Sequence, residues 1–370
     1  MDRRNFLKCG KAGIGCTLLP TDAGAWTLSP SNIPDSFSRE AMFYDKLASG
    51  YACGLCPNKC TVTEVRPGNC RTRYVKGDKF ICNAYGNPYY QNTLFPAQLP
   101  LFHYRPAEKL LLIGTCGCNL GCLNCNVSEV SQKSPGDLWH HTLFPAQVIE
   151  ACRKQDIRTI AYGYSEPVVF YEYMLETARL AHSAGINNLL CSNGHINERP
   201  LRELAGWIDG AIIDVKAFSE ASYQKLTGGS IMPVFNSLKV LKEMNVWLEI
   251  SHLLVPGWTD NFELMGKMFA WMKENGFAST PLHIDRFEPA YRLKQLSETP
   301  ADLMHKAYNM ARDAGIRYVY LNLPGEPDTF DTHCPKCHKV LVERTLKESS
   351  KSNIVNQSCP SCGEKVPGIW

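Results

Sequence analysis

Residues 109–125 read Lys109-Leu110-Leu111-Leu112-Ile113-Gly114-Thr115-Cys116-Gly117-Cys118-Asn119-Leu120-Gly121-Cys122-Leu123-Asn124-Cys125. An apolar run of strand length leads straight into a glycine-bearing loop with three cysteines at CxxxCxxC spacing. Thiolates at such close intervals suit an iron–sulfur cluster, whose cube presents several irons to one loop. Three ligands, Cys118, Cys122 and Cys125, leave one iron of four open. An open position on a metal is where chemistry takes place. The competing readings of the same spacing are a zinc site and unpaired core cysteines. Cys116 adds a further one: Cys116-x-Cys118-x3-Cys122-x2-Cys125 supplies four ligands, closes the cluster and makes an electron carrier.

Outward from this loop, short apolar runs alternate with amphipathic stretches, the pattern of repeated βα units. Strands are predicted near 109–114, 158–162, 187–191, 210–215, 247–254, 281–285 and 317–321, with helices between them such as 167–184, 261–275 and 300–314. Met265, Met268, Phe269 and Met272 fall at three-and-four spacing and read as core. The sum is an α/β fold, an open (partial) parallel βα barrel over residues 106–325.

Working groups of such barrels project from the C-terminal ends of strands. Those ends here carry Tyr164-Ser165-Glu166-Pro167, Ser192-Asn193-Gly194, Asp214-Val215-Lys216, Val255-Pro256-Gly257, and His283 with Asp285 and Arg286. A carboxylate such as Glu166 suits an ammonium, and Lys216 or His283 suits a carboxylate, which together serve an amino acid moiety. Each alone also reads as a local ion pair or a cap.

Cysteine is the compositional outlier at 17 of 370 residues, and eleven fall in three close-spaced sets. Grouped pairs in a chain of this length read as metal sites rather than a disulfide scaffold. In residues 50–105, Cys53-x2-Cys56-x3-Cys60-x9-Cys70 suits zinc or a second cluster, zinc being the plainer of the two. In residues 330–370, Cys334-x2-Cys337 and Cys359-x2-Cys362 read as a zinc ribbon. Cys337-His338 also matches c-type haem attachment, but haem leaves Cys359 and Cys362 unexplained.

Lys+Arg 39 against Asp+Glu 36 gives a net charge of +3 with no block of one sign, so nothing indicates nucleic acid. No apolar run approaches the length of a membrane span. Residues 1–30, with Arg3-Arg4-Asn5-Phe6-Leu7, read as a twin-arginine-like export signal or a disordered basic tail. A low-potential cluster needs a reducing compartment, so the cytoplasm is the expected location, with twin-arginine export the alternative.

Taken together, Cys53-x2-Cys56-Pro57-x2-Cys60, Pro100-Leu101-Phe102-His103, the cysteine loop, Tyr164-Ser165-Glu166-Pro167, Asp214-Val215-Lys216, Val255-Pro256-Gly257 and the ending Pro367-Gly368-Ile369-Trp370 resemble the AmmeMemoRadiSam-system radical S-adenosylmethionine (SAM) enzymes. These are similar to pyruvate formate-lyase activating enzyme. The resemblance implies a 4Fe–4S cluster on Cys118, Cys122 and Cys125, with SAM chelated at the open iron. One electron from a low-potential donor then cleaves SAM to a 5′-deoxyadenosyl radical. It implies Glu166 near the SAM amino group, and Asp214, Lys216 and His283 around the methionine and ribose portions; Ser192 and Asn193, from their strand end, are read as further cofactor-binding residues. It implies AMMECR-type and Memo-type proteins as partners and names no substrate. Two positions depart from the pattern: Asn124 stands where an aromatic residue usually packs by the adenine, and Asn126-Val127 follow in place of Gln-Asn. Against the enzyme stands a binding module built on two zinc appendages around a vestigial barrel.

Overall fold

The apolar runs pair side by side into one eight-stranded sheet of the computed structural model, which describes residues 34–323, 326, 329–344 and 350–370. In chain order the strands are β1 (Tyr90–Leu94), β2 (Leu110–Gly114), β3 (Thr159–Tyr162), β4 (Asn187–Ser192), β5 (Gly210–Asp214), β6 (Trp247–Leu254), β7 (Leu282–Arg286) and β8 (Val319–Asn322). From β2 to β8 each strand lies parallel to the next. β1 runs antiparallel to β2, and β1 and β8 are the unjoined edges of an open barrel. All residues of β2 and β3 are buried, as strands covered on both faces must be.

Helices α1 (Pro145–Lys154), α2 (Tyr171–Ser183), α3 (Glu198–Ala205), α4 (Glu220–Thr227), α5 (Met232–Glu243), α6 (Phe262–Glu274) and α7 (Ala301–Asp313) fill the crossovers. Met265, Met268, Phe269 and Met272 form the buried stripe of α6, the core role their spacing predicts. The helix expected over 167–184 begins instead as a 3-10 turn, Pro167–Phe170, with α2 following. Glu166 causes this start: its side chain accepts the Val168 N–H and turns the chain before α2. β1 comes from the segment that the sequence reading gave to the N-terminal cysteines. Its polar centre, Gln91-Asn92-Thr93, hides it from a search for apolar runs.

Below the strands, the segment around Pro100-Leu101-Phe102-His103 closes the barrel floor. Glu249 of β6 is fully buried there and accepts the backbone N–H of Phe102 at 2.8 Å and of His103 at 2.7 Å. The His103 carbonyl accepts the Ile369 N–H at 2.7 Å, and Arg105 N–H donates to the Ile369 carbonyl at 2.6 Å. Two sequence motifs 264 residues apart thus meet as one seal.

Residues 44–62 form a small antiparallel sheet, Tyr44–Lys46, Tyr51–Cys53 and Thr61–Val62, beside the barrel. Another, Thr332–His333, Val340–Glu343 and Lys351–Ser352, carries the last cysteines. Residues 1–30, where the export motif was read, lie outside the described residues. Among the described residues no helix is long and apolar enough to cross a membrane.

Candidate active site

The cysteine loop leaves β2 through Gly117, whose φ of +94° suits glycine alone, because an added Cβ would lie 2.5 Å from the Cys70 carbonyl oxygen. Four separate elements then hold it. Gly121 and Leu123 donate their N–H groups to the carbonyls of Thr227 (2.8 Å) and Leu226 (2.9 Å) at the end of α4. Asn119 Nδ2 donates to the His195 carbonyl at 2.7 Å, and its Oδ1 accepts Asn193 Nδ2 at 2.9 Å. Gln132 Nε2 reaches the Leu120 carbonyl, and Asn58 Nδ2 the Asn119 carbonyl. Leu120 N–H points at Cys118 Sγ at 3.4 Å, and Asn193 Nδ2 lies 3.9 Å from the same sulfur. A loop so restrained presents its thiolates in one fixed arrangement.

Cys118, Cys122 and Cys125 line a cavity of about 290 Å³ at the C-terminal ends of the strands. That is room for a small-molecule ligand, at the end of the barrel where parallel folds place their chemistry. Cys116 is buried and does not line it. Glu166, Ser192, Asn193, Asp214 and Lys216 all do.

Glu166, 3 % exposed, accepts Ser192 Oγ at 2.7 Å and Val168 N–H at 3.1 Å on Oε1, and Asn193 N–H at 2.9 Å on Oε2. Burial pushes its carboxyl up to about 7, against the pull of those donors. Oε2 retains acceptor capacity. Lys216 Nζ pairs with Asp214 Oδ2 at 2.6 Å; burial opposes its charge, but Asp214 and Cys122 outweigh it and raise the ammonium's pKa.

His283 departs from the expectation. It shares the inward face of β7 with Asp285, but lies two residues nearer the strand's start and never reaches the cavity. Its Nε2 meets Glu249 at 2.7 Å, and its ring packs on Phe102 and Tyr320. His283 is therefore part of the barrel floor, because an inward side chain at mid-strand meets the closing segment and not the rim. Asp285, one layer up, does line the cavity and accepts Ser251 Oγ at 2.7 Å. Ser251, Asn322 and Asn119 are site residues the sequence reading did not select. Strand register marks the first two: Asn322 lies opposite Asp285, and Ser251 opposite Asp214.

The C-terminal cysteines are a separate set. Cys334 Sγ stands 3.5 Å from Cys362 Sγ, and Cys337 Sγ 3.7 Å from Cys359 Sγ, with all four within 4.8 Å of one another. Four mutually facing thiols suit one tetrahedral ion: Zn–S bonds of about 2.3 Å give sulfur–sulfur edges of roughly 3.8 Å.

The model of the radical SAM superfamily matches residues 112–269, the stretch that holds the loop and β2 to β6. The uncharacterized protein MJ0808 of Methanocaldococcus jannaschii is 31% identical over 339 residues, 89% of this chain and 98% of that protein. The chain belongs to the radical SAM superfamily. Similarity to two activating enzymes is weaker and partial. The 4-hydroxyphenylacetate decarboxylase activating enzyme of Clostridium scatologenes is 20% identical over 41% of this chain and 47% of that enzyme. The pyruvate formate-lyase 1-activating enzyme of Escherichia coli strain K12 is 25% identical over 30% of this chain and 46% of that enzyme. The chain spans about half the length of these two.

Radical SAM membership implies a 4Fe–4S cluster and SAM. The residues fit that group. Three thiols share one cavity wall with N–H groups directed at Cys118, and Asn124 Oδ1 is a buried acceptor on that wall without a partner.

Proposed function

We propose that the chain cleaves SAM reductively and uses the radical to abstract hydrogen from its substrate, as a glycyl-radical-activase-like member of the AmmeMemoRadiSam group. When bound, the cluster would supply the one electron that breaks the C5′–S bond of the SAM sulfonium, leaving methionine and a 5′-deoxyadenosyl radical. Cys118, Cys122 and Cys125 would hold the cluster, and Cys116 would not. Glu166 would take the SAM ammonium on the remaining acceptor capacity of its carboxylate, fixed for that purpose by Ser192 and the Asn193 N–H. Lys216 would balance the SAM carboxylate while Asp214 holds it in place. Such charge-assisted contacts position a zwitterion in one orientation.

The observation that carries this reading is the single cavity on which three loop thiols, a buried carboxylate and a half-buried ammonium converge. An electron carrier has no use for such a chamber. Its fourth ligand would be Cys116, which lies off the cavity wall. AMMECR-type and Memo-type partners and a low-potential donor belong to the proposal through the resemblance alone. The test is anaerobic reconstitution with dithionite and SAM, read as 5′-deoxyadenosine formed. None from a chain with a full cluster complement would sink the reading.

A further inference from the structure

The three cysteine sets do not share one geometry. The C-terminal thiols draw together within 4.8 Å, the size of a single ion's shell. No three thiols of the N-terminal set, Cys53, Cys56, Cys60 and Cys70, come that close, and neither do those of the loop. The N-terminal four instead line a small cavity of their own, with room for about one water molecule. A lone tetrahedral zinc would have to pull these sulfurs inward to edges of roughly 3.8 Å. A four-iron cube carries its thiolates on outer corners and needs them apart, with its body in the middle.

Two further features suit a multi-iron centre. The chain turns so that backbone N–H groups of Leu55, Asn58 and Asn69 are directed at Cys53, Cys56 and Cys60. Hydrogen bonds to cluster sulfurs of this kind tune an iron–sulfur centre. Arg73, 1 % exposed, lines the same cavity. Its Nη2 meets Glu172 at 2.6 Å and its Nη1 the Met42 carbonyl at 3.0 Å, while its Nε is buried without a partner. A buried guanidinium with a donor unspent, against four thiols, marks a place for a net negative group.

We infer that Cys53, Cys56, Cys60 and Cys70 ligate a second 4Fe–4S cluster, in place of the zinc that their spacing first suggests. The same cavity is walled by Asn119, which adjoins Cys118 in the radical SAM loop. The second centre therefore lies against the loop that carries the first.

Iron, sulfide and zinc analysis with Mössbauer spectroscopy of the full chain, reconstituted anaerobically, tests this. The wild type should hold about eight irons and eight sulfides. The triple variant Cys118→Ala/Cys122→Ala/Cys125→Ala should keep about four of each, with a 4Fe–4S spectrum. The double variant Cys56→Ala/Cys60→Ala should lose about four irons and keep the signal that SAM perturbs. A wild type with about four irons and two zincs overturns the inference, whatever the variants' folding. So does a triple variant with zinc and no iron. Failure of the proposed function reads differently: the reconstituted wild type would form no 5′-deoxyadenosine from SAM, while the quartet's roughly four irons would still be present in the triple variant.

Discussion

Glu166 and Lys216 are where single side chains decide between function and scaffold. Each makes local contacts, so each also fits a purely structural part. If they hold SAM, loss of one charge-assisted contact of about 1.5–3 kcal/mol weakens binding roughly ten- to a hundredfold. Glu166→Gln and Lys216→Met should therefore show that loss by equilibrium binding, with loop iron unchanged. Unchanged affinity in both, with lower stability, would return them to the scaffold. His103 carries a prediction of another kind. Its Nδ1 faces the Pro367 carbonyl at 2.7 Å, so the proton sits there and Nε2 accepts from Tyr320 OH at 2.5 Å. Burial lowers its pKa from 6.5 to about 4. Between those values the unfolded imidazole binds a proton that the native one does not. Stability is thus full above about pH 6.5 and falls as pH falls towards 4, by about 3 kcal/mol in all. Urea midpoints at pH 7.5 and pH 5 should diverge more for the wild type than for His103→Gln.

At the scale of elements, the strands from β2 to β8 were legible because each is a short apolar run ending in polar or glycine residues. Parallel strands buried on both faces write themselves into sequence that way. β1 was not legible: its core face is only Tyr90 and Leu94, with polar residues between. The rim residues Glu166, Ser192, Asn193, Asp214 and Lys216 could be read from strand ends, and the structure brings them to one cavity. His283 could not be placed correctly, because sequence shows that a residue is near a strand's end and not which layer it occupies. The loop itself depends on a residue with no chemistry of its own. Gly117→Ala forces a Cβ to 2.5 Å from the Cys70 carbonyl at a φ of +94°. The expected cost is about 2 kcal/mol or more, and iron bound by the loop should fall with it. An alanine variant with normal iron content and normal urea midpoint would show that the turn is less constrained than its geometry implies.

The whole molecule is a barrel with chemistry at one end and a seal at the other, and the seal was invisible as such in the sequence. Pro100-Leu101-Phe102-His103 and Pro367-Gly368-Ile369-Trp370 stood out as motifs, yet nothing in either names the other as its partner. The structure joins them: Ile369 bonds to His103 and Arg105 on either side of Tyr104, the Pro367 carbonyl accepts from His103 Nδ1, and the Trp370 ring lies 4.8 Å from that imidazole. Through Glu249, which binds the Phe102 and His103 N–H groups and His283, the same seal reaches the barrel interior. Removing residues 367–370 would leave the His103 carbonyl, His103 Nδ1 and Arg105 N–H without these partners. At about 1–3 kcal/mol for each group left unpaired, the loss is on the order of 3–9 kcal/mol, a large part of a typical domain's stability. The truncated chain should unfold at markedly lower urea. The rim residues belong to the opposite ends of the strands, so the fraction that folds should bind SAM as the full chain does. Loss of SAM affinity without loss of stability would mean that the last residues serve the site and not the seal.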